Sequence, residues 1–344
     1  MTDRKTIAGI ARLAGVGTAT VDRVINRRPG VSPETAQRVL EVMREAGTET
    51  PVRGRPKKTA GYRMAFVLPS ARTPLFDMID RQIAQAAGEF RHQHITEVTY
   101  RFDAGDTVKF ASELGKLGEC DGVVLLAPDL PAIKLAVNEL VRSGTQVVTL
   151  LSDIAGSMRA AYVGADNRAA GRTAGLLLGR VVGHRRAAKV LLTSQATRYS
   201  SEIDRRVGFV QLLEERFPNI EVVRVQDLPE NETEAREACA ALLAQPGLRG
   251  ELAGFYNVGA CTYGVARACQ EAGADPDFIA IGHDLTEANK TLLTTGVLSF
   301  VLHQDIHDCV TAAATSLLTL RASLRGAPIA VPPRLEIVTS ENLV

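Results

Sequence analysis

Apolar positions along this chain follow two regimes. Over the first 47 residues they recur with the spacing of short helices; from residue 62 onward compact apolar runs alternate with longer amphipathic stretches. In the first regime Ile7, Ile10, Ala11 and Ala14 stand at i, i+3, i+4 and i+7, one face of a helix that Thr6 can cap and Gly15 can end. A second helix starts near Gly17 or Thr18, turns Val21, Val24 and Ile25 inward, and ends at Asn26. A third opens on Ser32-Pro33-Glu34: a hydroxyl cap, a proline at the first helical position, then an acid in the first turn. Its predicted buried face is Ala36, Val39, Leu40 and Met43, with Gly47 placed to stop it. Glycine in the Ala14-Gly15-Val16 joint permits the sharp reversal of a helix-turn-helix.

In the second regime the short runs read as strands at Arg63–Leu68, Gly122–Leu126, Gln146–Leu151, Lys189–Thr193, Glu221–Val225, Gly254–Tyr256 and Ile279–Gly282. Helical stretches lie between them at Met78–Glu89, Ala132–Val141, Arg168–Val182, Arg205–Phe217, Thr233–Ala244 and Tyr263–Ala272. Such alternation predicts parallel sheets covered by helices on both faces. The pattern restarts after Gly164, so two doubly wound lobes are expected, each taking ligand at the carboxyl ends of its strands. Polar residues at those ends are the candidates: Ser70, Asp153, Asn257 and Asp284. Two of them have plainer readings as well. Asp284 can cap a helix over Thr286–Leu293, and Asn257 can hold a turn.

Composition adds little until it is divided. The 344 residues are 45% hydrophobic and 23% charged, enough for a large core plus a small module. The net charge of +1 hides an asymmetry: residues 1–60 hold 12 basic and 6 acidic side chains, and the rest 28 and 33. A basic head on a slightly acidic body implies that the head meets a polyanion, although a solvated arm has the same composition. The five cysteines form no CxxC or Cys/His cluster, so reduced thiols are expected. The polar start lacks a secretory leader and no apolar run is long enough to span a bilayer, so a cytoplasmic protein with no membrane partner is expected. No GxSxG, HExxH or Walker loop is present. His92 and His94, and Asp305 and His307, are poorly spaced for a metal on one helix face, and Asp103–Asp106 reads as a loop. Neither catalysis nor a cofactor is expected.

The run TIAGIARLAGVGTATVDRVINRRPGVSPETAQRVLEVMREAG resembles the head of the lactose-repressor (LacI) family of bacterial regulators, above all in AGVGTATVDRVIN followed by GVSPET. By position, the resemblance implies that Thr18, Ala19 and Arg23 face base edges, while Thr6, Gly17, Thr20, Asn26 and Ser32 lie against phosphates. Arg23 can donate two hydrogen bonds to a guanine, and hydroxyl and amide groups can position the DNA backbone. A solvated helix face for Arg23 and a local cap for Thr20 are the alternatives. The sequence departs from the family at Gly17 and Asp22, where serine is usual, and both departures bear on which operator is read.

Residues 48–61 form a basic Pro/Gly linker, TETPVRGRPKKTAG, without the apolar wedge that the family's hinge helix inserts between bases; its prolines oppose a helix. Arg53-Gly54-Arg55-Pro56 is similar to the core of an AT-hook, so Arg53 and Arg55 are candidates for the minor groove, against the reading of a flexible tether. The body, 62–344, resembles the family's effector domain, itself similar to type I periplasmic sugar-binding proteins. That implies lobe 1 at about 62–163 and 305–328, and lobe 2 at about 164–304 and 329–344. The resemblance also implies effector contacts at Arg205 in EIDRRVGF, Asn257 in FYNVGACTYG, Asp284 in AIGHDLT, Gln304 in FVLHQD and Phe76 in TPLF. Such a set suits many hydroxyls, hence a sugar, sugar acid or polyol; few aromatics are available to stack a purine. The expected molecule is a homodimeric, effector-responsive repressor on near-palindromic DNA, since one head covers a half-site. A transport-type binding module and an enzyme on the same scaffold are the competing classes.

Overall fold

In the computed structural model the described residues are 6–25, 30–45, 61–90, 95–184, 187–195, 199–245, 248, 252–273, 277–321 and 333–343. The chain divides into two compact units, Met1–Ala60 and Gly61–Val344. Asn26, Arg53, Arg55 and the rest of the linker up to residue 60 lie outside the described residues.

The first unit holds α1 (Ile7–Ala14), α2 (Thr18–Ile25) and α3 (Pro33–Glu45). Thr6 caps α1, its Oγ1 accepting from the Gly9 N–H at 3.0 Å. Gly15 ends α1 at φ +66°, a conformation that a side chain would strain. Ile10, Ala11, Ala14, Val21, Val39 and Met43 form the core, as the helical spacing predicts. Leu40 does not join it and is 50% exposed. One step along a helix turns by a hundred degrees or so, which carries Leu40 off the Val39–Met43 face; Val42 packs there instead.

The second unit is two α/β lobes. In the first, β1 (Tyr62–Pro69), β2 (Ile95–Phe102), β3 (Gly122–Leu125), β4 (Gln146–Leu150) and β5 (Ala161–Val163) form a parallel sheet in the order β2-β1-β3-β4-β5. Its connecting helices are α4 (Pro74–Phe90), α5 (Thr107–Gly115) and α6 (Pro131–Ser143). In the second lobe the strands are β6 (Ala188–Gln195), β7 (Ile220–Leu228), β8 (Leu252–Asn257), β9 (Ile279–His283) and β10 (Phe300–His303). They repeat the order as β7-β6-β8-β9-β10, and a short antiparallel β11 (Glu336–Val338) closes the edge. Its helices are α7 (Asn167–Val182), α8 (Ser200–Arg216), α9 (Glu232–Leu243), α10 (Thr262–Glu271) and α11 (Glu287–Thr294). After β10 the chain returns to the first lobe as α12 (Ile306–Arg321), which buries Ile306, Val310 and Leu317 among Met64, Val124 and Val148. The two-lobed α/β architecture expected from the periodicity is the one observed.

Several elements are additional to the predicted set. The strand β2 has a half-exposed, mixed pattern, and α5, β5, β10 and β11 are short. The helix α8 begins at Ser200, five residues before the predicted start at Arg205. Each sheet has one switch point, between β1 and β3 and between β6 and β8, and this topology opens a crevice at the carboxyl ends of those strands.

Candidate functional site

Gly17, Thr18, Ala19 and Arg23 are exposed along α2, the second helix of the helix-turn-helix, and Thr20 is half-buried. The carbonyl of Gly17 accepts from the N–H groups of Thr20 and Val21 at 2.9 and 3.2 Å, so this residue starts the helix without a side chain to cap it. Thr6 and Ser32 are exposed at the starts of α1 and α3, and each oxygen accepts a backbone N–H of its own helix. The local-cap role is therefore met at both positions, and the Ser32 hydroxyl also donates to Thr35 Oγ1 at 2.8 Å.

In the second unit a cleft, open at its mouth, lies between the two lobes. It is lined from the carboxyl ends of the strands: Thr73–Phe76 after β1, Ser152 after β4, Gln195 on β6, Cys261 after β8, Asp284 after β9 and Gln304 after β10. Four of the seven predicted effector residues come together here: Phe76, Arg205, Asp284 and Gln304. Each is held by its surroundings. The Arg205 Nε donates to Asn167 Oδ1 and its Nη1 to the Val258 carbonyl, both at 2.8 Å, which orients the guanidinium across the strand ends. Gln304 Oε1 accepts from the Ala165 N–H at 2.9 Å, joining two places where the chain passes between lobes.

Asp284 stands at φ +61°, a left-handed conformation that costs a non-glycine residue free energy. Asn289 sustains it by donating through Nδ2 to the carbonyls of His283 and Asp284, both at 2.8 Å. The cap of α11 is Thr286, whose Oγ1 accepts from the Asn289 N–H, so capping does not account for Asp284. Its carboxylate is 6% exposed, with Oδ1 lacking a hydrogen-bond partner.

Ser70, Asp153 and Asn257 are not in the cleft lining. Ser70 is exposed beyond β1. Asn257 is spent on its turn: Nδ2 donates to the carbonyls of Gly259 and Ala260 and to Thr262 Oγ1, and Oδ1 accepts from Thr193. Asp153 accepts from the Arg159 guanidinium in a two-pronged pair and from Thr149 Oγ1. Burial opposes its ionisation, but these donors prevail and hold its carboxyl below the usual range. Beside it the lobes touch directly: Ser200 Oγ donates to the Asp153 carbonyl at 2.7 Å and lies 3.1 Å from Ser152 Oγ.

The cleft also holds residues that the strand-end reading missed, among them Gln195, Tyr199, Glu202, Glu230 and Glu232. Glu202 and Arg205 sit three apart on α8 and so share a face; starting that helix at Ser200 exposes the pair in the sequence. Burial, reinforced by the charge of Glu230 and opposed by Arg205, pushes the Glu202 carboxyl up to about 7. His283 is buried, with Nε2 2.7 Å from the Tyr256 hydroxyl; burial and the Arg205 charge hold its imidazole neutral, well below the usual histidine range. Among the described residues no group of histidine, cysteine, aspartate and glutamate is arranged to hold a metal, and no helix is long and apolar enough to cross a membrane.

Comparison with known proteins agrees with both units. Residues 6–47 match the bacterial regulatory proteins of the lacI family, and residues 64–323 match the periplasmic binding protein domain. An uncharacterized HTH-type transcriptional regulator in the aml 5' region of Streptomyces limosus is 28% identical over 321 residues, covering 91% of this chain and 87% of that relative. The regulator TreR of Salmonella typhimurium is 53% identical over 47 residues, only 14% of this chain and 15% of its own. Among solved structures, the Caulobacter myo-inositol binding protein bound to myo-inositol superposes with a TM-score of 0.73 at 20% identity, over 84% of this chain and 97% of that one. A head matched by one family model and a body matched by the other, in one chain, place this protein in the lacI family of bacterial transcriptional regulators that carry a periplasmic-binding-protein domain.

Proposed function

We propose that this chain is a repressor of a carbohydrate or polyol uptake or catabolic operon, and that a small polyhydroxylated molecule in the interlobe cleft controls its grip on operator DNA. The observation that carries this reading is the cleft itself. A fixed arginine, Gln304 and several carboxylates converge from the strand ends and helix starts of the second lobe, with Phe76 of the first lobe and Tyr199 beside them. Hydroxyls both donate and accept, so a ligand rich in them can satisfy such a mixed set. The resemblance to a myo-inositol binding protein supports the same class.

In this reading Thr18, Ala19 and Arg23 of α2 read base edges, while Thr6, Gly17, Thr20 and Ser32 seat the head on phosphates. Asn26, Arg53 and Arg55 are assigned to the DNA on sequence grounds. Phe76, Arg205, Asp284 and Gln304 contact the effector; Asn257 and Asp153 shape the turn and the lobe contact around it, and Ser70 has no place in the site. Residues 1–47 act as the DNA head, 48–61 as the linker and 62–344 as the effector body. Two copies bind two half-sites, because one head spans one half-site. The protein carries out no reaction and works in the cytoplasm. A ligand that spans the lobes can shift the DNA-bound population only through its different affinities for the two lobe arrangements.

The test is a thermal-melting screen of sugars, polyols and nucleobases against the full chain. A ligand at about a hundredfold above its Kd stabilises by about 2.7 kcal/mol, a readily measured shift. Stabilisation by a polyhydroxylated compound is expected; stabilisation by a nucleobase alone contradicts the effector class.

A further inference from the structure

The charge lining the cleft is unbalanced. Four carboxylates, those of Glu202, Glu230, Glu232 and Asp284, face one guanidinium, Arg205, among the described lining residues. His283 adds no positive charge, because burial keeps it neutral. Two of these carboxylates are short of donors. Asp284 is 6% exposed with Oδ1 unpartnered, and Glu202 accepts from the Gln195 backbone N–H while its Oε2 is cut off from solvent without a partner. Glu232 is engaged as well, its Oε2 accepting from the Gly264 N–H at 2.6 Å. In its ionised form a carboxylate only accepts, so a group that completes the cleft against ionised carboxylates must donate. A hydroxyl offers one donor and brings an acceptor of its own, leaving the excess negative charge in place. An ammonium offers three donors, no acceptor, and the missing charge.

We propose that the effector is a polyhydroxylated molecule bearing an ammonium group, an amino sugar or amino polyol, with the ammonium seated against Glu202. Anionic members of the wider class, sugar acids and sugar phosphates, are disfavoured by the same charges. The inference rests on the reading of the cleft as the effector site. Around Glu202 the charged and titratable groups are Arg205 and Arg206 on its own helix, Glu230 and Glu232 from the segment entering α9, and Cys261 at the start of α10. The cysteine thiol is raised to about 12 by burial and by these acids, so it stays neutral. Near pH 7 Glu202 is divided between acid and carboxylate, and an arriving cation drives it to the carboxylate.

The experiment titrates the full chain calorimetrically with matched sets that differ only in one group: glucamine, sorbitol and gluconate; glucosamine, glucose and glucuronate; galactosamine, galactose and galacturonate. An ammonium member is expected to bind at least about tenfold tighter than its neutral partner. In buffers of different ionisation enthalpy it is expected to release about half a proton from Glu202 near pH 7. Glu202→Gln should abolish that release and erase most of the preference, the comparison cancelling any titration of the ligand itself. Tighter binding of a neutral or carboxylate member overturns the ammonium assignment while leaving the polyhydroxylated-effector reading standing. Absence of binding by all members, of every charge, counts against both. Proton release unchanged in Glu202→Gln overturns the assignment to that residue, and the wild-type preference can be read even where the variant fails to fold.

Discussion

At the scale of single residues, Glu202 is the most informative side chain in the body. Its folded carboxyl titrates near 7 against an ordinary 4.5, so between those values the folded state holds a proton that the unfolded chain has lost. Stability contributed by that proton is present at about pH 4.5, declines as pH rises toward 7, and is gone above it. Glu202→Gln should match the wild type near pH 5 and exceed it at pH 8, by up to about 3 kcal/mol, in denaturant unfolding without ligand. His283 has the opposite slope. Its imidazole is held neutral in the fold, so stability falls as pH drops below about 6.5, where the unfolded histidine takes up a proton. In the head, a side chain built at Gly17 meets nothing within 4 Å, and its φ is not in the left-handed range. Gly17→Ser should therefore add a helix cap worth a few tenths of a kcal/mol and tighten DNA binding through one more phosphate contact. Arg23→Ala should weaken binding to the selected operator by roughly 5–100-fold while changing binding to unrelated DNA far less, measured by fluorescence anisotropy.

At the scale of elements, the position of Arg205 depends on how closely α7 and α8 approach. A Cβ on Gly171 would collide with the backbone carbonyl of Arg205, and one on Gly208 with that of Arg168. Glycine at both crossing points lets the two backbones meet, and nothing flexible lies there to give way. Gly171→Ala or Gly208→Ala should cost about 1–3 kcal/mol in unfolding measurements and displace α8, lowering effector affinity through Arg205 and Glu202 together. An alanine accepted without loss of either property contradicts this account of the helix pair. The elements also show what a sequence can disclose. Most of the amphipathic helices and β-branched strands are legible because their periodicity is set by burial on one or both faces, whereas α12, buried along Ile306, Cys309, Val310, Ala313, Ala314 and Leu317, is absent from the predicted set. The strand β2 is not legible either, since its ITEVTYRF pattern is half-exposed and lacks a clean alternation. The start of α8 was missed because Ser200, Ser201 and Glu202 carry no apolar repeat, although Glu202 lies in the cleft. Asp284 and Asn257 occupy equivalent strand ends and read alike in sequence, yet one faces the cleft and the other is consumed by its own turn. Only the backbone path beyond each strand separates them.

At the scale of the whole molecule, the basic residues are concentrated in the first 60 positions, and the remaining 284 hold a slight excess of acids. The head is expected to show a steep loss of DNA affinity with added salt, as phosphate contacts release counterions. The body is expected to join its lobes through the cleft ligand, building on the contact that Ser152 and Asp153 already make with Ser200. Coupling between the two is reciprocal by linkage: whatever factor the ligand applies to DNA affinity, DNA applies to ligand affinity. The most direct test takes the duplex that the full chain selects from random DNA and measures its affinity with and without the compound that raises the chain's melting temperature. Nanomolar-range, salt-sensitive binding to a near-palindromic sequence is expected, changed by the compound by roughly tenfold or more. Failure to select any sequence, or an affinity that stays the same when the cleft is filled, would contradict this expectation.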